Sequence, residues 1–248
     1  VGLQWGRRAF RSSGAARLEK KPWYYEMSFI FSKGARQERA RKLKEEATRG
    51  RFFELNEIKE NGGKIFEADM DILDLKDSQA ITFPDVEVWP LVTDTGEEAL
   101  TTVSLSDKLA GKVSLVTVCA RDIARPMVNT WVDAFSKKVS PNDRLQIVQL
   151  SFVEGALYKL FRKMLLRSIK GTMADDQHHQ VMVAFADSES FRTKLELKNR
   201  LVAYVFLIDA EKRVRWRGCG YALDHEIKAM SAAAASLAHV RTGGKPRR

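Results

Sequence analysis

Apolar and polar positions alternate in different ways along the chain. Between residues 81 and 240, short apolar runs rich in Val, Leu and Ile are separated by stretches with helical spacing. The runs Glu87–Val92, Val113–Ala120, Leu145–Ser151, Val181–Ala186, Val202–Ile208 and Val214–Arg217 predict buried strands. Helices are predicted over Pro126–Lys138, Gly155–Leu166, Ser188–Leu195 and Asp224–Val240. Pro126 suits a first helical turn, where its missing N–H is not needed. Pro141 and Asn142 stop that helix, and Asp224 is placed to cap the last one. Asp209–Lys212 joins two strands at hairpin length. Ser106–Leu109 with Gly111 predicts a turn before the central strand.

The element order is β-β-α-β-α-β-α-β-β-α. Helices between strands predict right-handed crossovers and parallel neighbours. A closing hairpin followed by a helix is the C-terminal half of a thioredoxin-like fold. The expected fold class is therefore α/β: a thioredoxin-like mixed sheet flanked by helices over 81–240, with a basic helical N-terminal extension.

Residues 51–80 read as a connector. Phe52, Leu55 and Ile58 are spaced as one face of a short helix, and Asn61-Gly62-Gly63 is a turn signal. Residues 1–50 have few apolar positions. Gly34–Arg49 holds strong helix formers and dense charge, which predicts a solvated helix or one lying on a charged partner. Residues 241–248 form a basic tail.

Charge sharpens this division. The chain has 42 Lys and Arg against 32 Asp and Glu, a net of +10. Residues 1–50 hold 13 against 5, a net of +8, so the remainder holds 29 against 27. The excess sits in the arm, which would seek phosphates, an anionic membrane surface or an acidic protein face. Nucleic acid is a partner only through that arm. Gly6–Arg17 is rich in Arg, Ser and Ala, as a mitochondrial transit peptide or its border is. A chain beginning at Val1 is expected to have lost an upstream piece.

The candidate chemistry is sparse. The two cysteines, Cys119 and Cys219, make no disulfide framework and fit a reducing compartment. In redox enzymes of this fold, a thiolate just after the central strand is stabilised by the next helix N-terminus. Here that window reads Cys119-Ala120-Arg121-Asp122-Ile123-Ala124-Arg125-Pro126, without a second cysteine. Cys119 closes an apolar run and reads as a small buried hydrophobe. The proline expected before the hairpin is also missing from Lys198–Val202. His178 and His179, with Asp175 and Asp176, read as a polar loop against a metal site. No cofactor is expected. Tyr158–Arg167 mixes bulky apolar and basic groups, which suits an anionic membrane surface, a partner helix or ordinary packing.

Phe52–Glu57 with Gly63–Ala68, then Phe83-Pro84 with the strand Lys112–Val118, and finally Tyr204–Asp209 with Val214–Ala222, resemble the mitochondrial assembly factors of F-type ATP synthase over residues 50–240. The resemblance implies a non-enzymatic chaperone in the mitochondrial matrix, peripheral to the inner membrane, that binds the newly made proton-channel subunit. Phe52, Phe53, Leu55, Arg215, Trp216, Gly218, Cys219 and Tyr221 are the residues expected to meet a partner. Two other readings remain: a permanent subunit of a large mitochondrial complex, respiratory or ribosomal, and a divergent thiol oxidoreductase acting through Cys119.

Overall fold

A computed structural model describes residues 51–73, 80–93, 101–139, 142–155, 158 and 160–239. The expected charged helix over 34–49, the transit-like start and the basic tail lie outside the described residues. The chain divides into two compact units between Gly63 and Lys64.

In the N-terminal unit, helix α1 spans Arg51–Asn61. It ends as the Asn-Gly-Gly signal predicts. Gly62 and Gly63 both take positive φ, and the Gly63 N–H donates to the Ile58 carbonyl at 3.0 Å, closing a Schellman-type cap. Leu55 is exposed on α1.

The larger unit is built on a seven-stranded sheet of order β2-β1-β5-β4-β3-β6-β7. The strands are β1 (Glu87–Pro90), β2 (Val103–Ser104), β3 (Val113–Cys119), β4 (Leu145–Phe152), β5 (Val181–Ala184), β6 (Tyr204–Ile208) and β7 (Val214–Cys219). Its helices are α2 (Leu105–Leu109), α3 (Arg125–Lys138), α4 (Arg162–Gly171), α5 (Glu189–Lys194) and α6 (Asp224–His239). β3 is fully buried and pairs parallel with β4 and antiparallel with β6. β6 and β7 form the closing antiparallel hairpin. The order β4-β3-β6-β7, with α3 crossing between β3 and β4 and α6 after the hairpin, is the thioredoxin-like core.

Three boundaries differ from the sequence expectation. Tyr158 and Leu160, within the helix expected over Gly155–Leu166, are helical; a turn at Phe161 then breaks the helix, and α4 runs on from Arg162 to Gly171, beyond the expected end. The apolar spacing that buries it is Leu165, Leu166 and Ile169, and Gly155 upstream takes a φ of 119°. Ser106–Leu109 is not a bare turn: it belongs to α2, whose first turn is capped by the Ser104 hydroxyl. Asp224 does not cap α6. It is the first helical residue, and Glu226 reaches back to accept from the Leu223 N–H at 3.0 Å.

Register decides which faces are packed. Leu115 on β3, with Val205 and Leu207 on β6 and Trp216 on β7, meets Trp131 and Phe135 of α3 and Met230, Ala233 and Ala234 of α6. The same face continues through Gln149 and Ser151 of β4 to their partners Val181 and Val183 of β5. There α4 packs with Leu166. On the opposite face, Phe191 of α5 meets Phe83 at 5.5 Å and Phe152 at 5.1 Å between ring centroids.

The outer edge of β7 is covered by the chain's own backbone. The Asp69 N–H donates to the Arg217 carbonyl at 3.0 Å, and the Leu73 N–H to the Arg215 carbonyl at 2.7 Å. Farther along, the Val214 N–H donates to the Ile81 carbonyl at 2.9 Å. Such a cover removes the unpaired ladder groups that make an edge strand sticky.

Candidate functional site

Two places in the fold concentrate chemistry. The first is the carboxyl end of β3, where enzymes of this fold place their reactive thiol. Cys119 is the last residue of β3 and is buried. Its S–H donates to the Arg121 carbonyl at 2.8 Å. Burial pushes the thiol up to about 11, against the opposing pull of the Arg125 charge. A single 3-10 turn, Asp122–Ala124, separates it from α3, so the helix N-terminus lies six residues downstream of the sulfur. The thiolate stabilisation expected of a redox cysteine is absent here.

Ion pairs occupy that end of the sheet instead. Arg121 pairs with Glu154 at 2.9 Å, and Arg125 with Asp122 at 3.0 Å. Glu154 also accepts from the hydroxyl and the backbone N–H of Ser188. Burial works to raise the Glu154 carboxyl. The Ser188 hydroxyl, Arg121 and Arg200 outweigh it and leave the carboxyl below its ordinary value. The cluster ties the ends of three parallel strands together: Arg121 follows β3, Glu154 follows β4 and Ser188 follows β5.

The second place is the end of β7. Lys64 is buried and pairs with the fully buried Glu226 of α6. Its ammonium also donates to the Cys219 carbonyl at 2.8 Å and lies 5.2 Å from the centre of the Trp131 ring. Glu226 accepts in addition from the Ala68 N–H at 3.1 Å. The Cys219 sulfur accepts from the N–H groups of Ile65 and Phe66, at 3.3 and 3.4 Å. It also donates to the Phe66 carbonyl at 3.2 Å. Burial raises this thiol too. Trp131 and Trp216 meet edge to face at 5.6 Å, and the Trp131 indole donates to the Gly220 carbonyl at 2.7 Å. The whole arrangement clamps the segment Lys64–Asp69 onto β7 and α6.

The residues singled out in the sequence for partner contact separate in the structure. Trp216, Gly218 and Cys219 come together, but inside the core: Trp216 and Cys219 are each 0% exposed. A Cβ on Gly218 would lie 2.9 Å from the Trp216 ring and 3.2 Å from the Trp131 ring, so only glycine fits between them. These three build the clamp from inside the core. Arg215 lies on the other side of β7 from Trp216, is largely buried and pairs with Asp209 at 2.7 Å. Tyr221 is half-buried. Leu55 belongs to the N-terminal unit; Phe52 and Phe53 lie within α1, and their side chains fall outside the described residues.

His178 sits in a 3-10 turn, not an open loop. It is buried, with Nε2 at 2.9 Å from the Lys170 carbonyl. Among the described residues no group of three or more His, Cys, Asp or Glu could hold a metal ion. The sequence reading missed Lys64, Glu226 and the Arg121–Glu154–Ser188 cluster. The only signal was local: Glu226 stands where a capping-box acid belongs, three residues after Leu223.

Against known proteins, the family model described as ATP10 protein matches residues 12–237. The "Mitochondrial ATPase complex subunit ATP10" of Candida glabrata is 21% identical over 202 residues, covering 80% of this chain and 71% of that protein. The protein of the same name from Saccharomyces cerevisiae is 24% identical over 207 residues, covering 77% and 71%. Among solved structures, BsSco, of the Sco family of cytochrome c oxidase assembly proteins, aligns with a TM-score of 0.47 at 14% identity, covering 67% of this chain and 99% of that one. A thiol:disulfide interchange protein of the thioredoxin family from Chlorobium tepidum aligns with a TM-score of 0.39 at 17% identity, covering 66% and 99%.

Proposed function

The chain belongs to the ATP10 protein family, and from that premise we propose that it is a non-enzymatic assembly factor for mitochondrial ATP synthase. In this reading it binds the proton-channel subunit at the matrix face of the inner membrane and leaves once that subunit is placed. No described helix is long and apolar enough to cross a membrane, which agrees with a peripheral position.

One observation supports a binding role over chemistry. The position of the reactive thiol holds a buried cysteine whose proton is bonded to a backbone carbonyl and whose pKa is pushed up to about 11. A thiol must be ionised and accessible to attack a disulfide. Cys119 is neither, and Cys219 is buried and bonded to Phe66.

The test is assembly itself. Mitochondria lacking the protein should accumulate incomplete ATP synthase on native gels, and both the native chain and the Cys119→Ser variant should restore it. A variant that fails to restore assembly although it folds normally would turn the reading toward a thiol oxidoreductase. Stoichiometric presence of the protein in mature ATP synthase would make it a permanent subunit.

A further inference from the structure

Among the described residues of the bigger unit, Met70, Val103 and Ile123 are large apolar side chains exposed singly, whereas three others stand together: Leu160 is 78% exposed, Phe161 41% and Met164 39%, all at the entrance to α4. Leu160 and Phe161 stand directly before α4 and Met164 in its first turn, so three exposed apolar side chains fall within five residues and make one short strip. Lys163 and Arg167, both exposed, flank the strip. The inner side of α4 is already satisfied by Leu165, Leu166 and Ile169 against β5, so burial in the chain's own core does not account for this outer strip.

The charge of the segment is one-sided. Between Glu154 and Asp175 the sequence carries five basic residues and no acid. Two of them, Arg162 and Lys163, stand in the first turn of α4, where the positive end of the helix dipole disfavours cations. No acid occupies that turn, and no side chain caps it through Phe161. The Arg162 guanidinium is held over the Trp89 ring, 3.8 Å from its centre, which fixes this charge at the rim of the strip. A helix start that gathers positive charge with no acid in its own first turn is matched to an external anion. Exposed Leu, Phe and Met beside it are matched to hydrocarbon.

We propose that the strip Leu160-Phe161-Met164, with Arg162, Lys163 and Arg167, is a docking face for an anionic phospholipid surface. The apolar side chains enter the headgroup boundary while the basic ones meet lipid phosphates. The apolar strip separates this from nucleic acid, whose phosphates offer nothing for Leu160 to enter. The inference rests on the peripheral inner-membrane reading above and adds the face that makes the contact.

Flotation of the full chain with vesicles tests the face without invoking assembly, so the two readings can fail separately. The vesicles are phosphatidylcholine alone or phosphatidylcholine with cardiolipin. The native chain should float only with cardiolipin, and added salt should weaken binding. Lys163→Glu with Arg167→Glu should weaken it at least about ten-fold, given the attraction each basic side chain contributes at an anionic surface. Leu160→Ser with Phe161→Ser and Met164→Ser should lose binding while keeping every charge, including the basic arm. Circular dichroism melts check folding, and the single Leu160→Ser change, at the most exposed position, should still weaken binding in a fully stable protein. Binding unchanged in the triple variant would overturn the proposal, because the arm alone would then hold the membrane. Equal binding to neutral vesicles, or displacement by RNA with no effect of the apolar changes, would overturn it as well.

Discussion

Replacing Glu226 by Gln removes one charge from the clamp at the end of β7 while nearly preserving shape. The carboxylate is fully buried and accepts from Lys64, from the Ala68 N–H at 3.1 Å and from the Leu223 N–H at 3.0 Å. An amide has one acceptor oxygen, so its NH2 group must face one of these three donors. Lys64 is then left as a buried ammonium with the Cys219 carbonyl at 2.8 Å and the Trp131 face at 5.2 Å. Removing one member of a buried ion pair costs about 3–5 kcal/mol, because the remaining charge keeps its desolvation cost and loses its compensation. For a unit of this size each kcal/mol moves Tm by about 2–4 °C, so Glu226→Gln should lower it by roughly 6–20 °C. Thermal melts followed by circular dichroism measure this directly. Lys64→Met should cost a similar amount. The double change Lys64→Met with Glu226→Leu should recover much of the loss, since an apolar pair of similar volume removes both desolvation penalties. A Tm within about 1 °C of the native chain for Glu226→Gln, or a double variant as unstable as the two single losses added, would refute the buried-clamp account.

Gly218→Ala places a methyl group against two buried indole rings and should cost about 1–3 kcal/mol, read as a lower urea midpoint with an unchanged slope. With its pKa pushed up to about 11, Cys119 should be about 0.1% ionised at a pH near 8, so iodoacetamide should label neither cysteine until urea unfolds the chain. Rapid labelling of one thiol in the folded protein would contradict this. Glu154 has a lowered folded pKa, so its contribution to stability is present above the unfolded value, ordinarily 4.5, and is lost as pH falls through the folded one. Glu154→Gln should therefore lower Tm at neutral pH and flatten its fall toward acid; an acid limb as steep as the native one would show that other carboxylates govern it.

The sheet was legible because its central strands are continuous apolar runs. β3 and β6 are buried at every position, and nothing in helical spacing competes with Val113–Cys119 or Tyr204–Ile208. The two-residue β2 carries no pattern, since Val103 and Ser104 owe their pairing to β1. The helical spacing from Tyr158 onward reads as one helix ending at Leu166, whereas a turn at Phe161 interrupts it and the buried spacing Leu165, Leu166 and Ile169 carries α4 on to Gly171. At β7 the signal was present but read outward. Val214, Trp216 and Gly218 alternate with Arg215 and Arg217, and that period of two places the conspicuous tryptophan and glycine inside. Lys64 and Glu226 stand 162 residues apart, and a buried charge with a partner so distant leaves no local trace.

The clamp also has a place in time. Lys64 meets Glu226 across 162 residues, and Phe66 meets Cys219 across 153. At synthesis rates of about 5–20 residues per second, Lys64 emerges roughly 10–30 s before its acceptors exist. Contacts of such long range also close slowly, because the entropy of the loop must be overcome before any bond forms. The sheet can form around β3 and β4 first, and Lys64–Asp69 can settle only when the hairpin and α6 are in place. A chain cut short before Asp224 would keep most of its strands and lack the anion that neutralises Lys64. The clamp therefore closes late: the segment Lys64–Asp69 gains its counter-charge from a residue made 162 positions after Lys64.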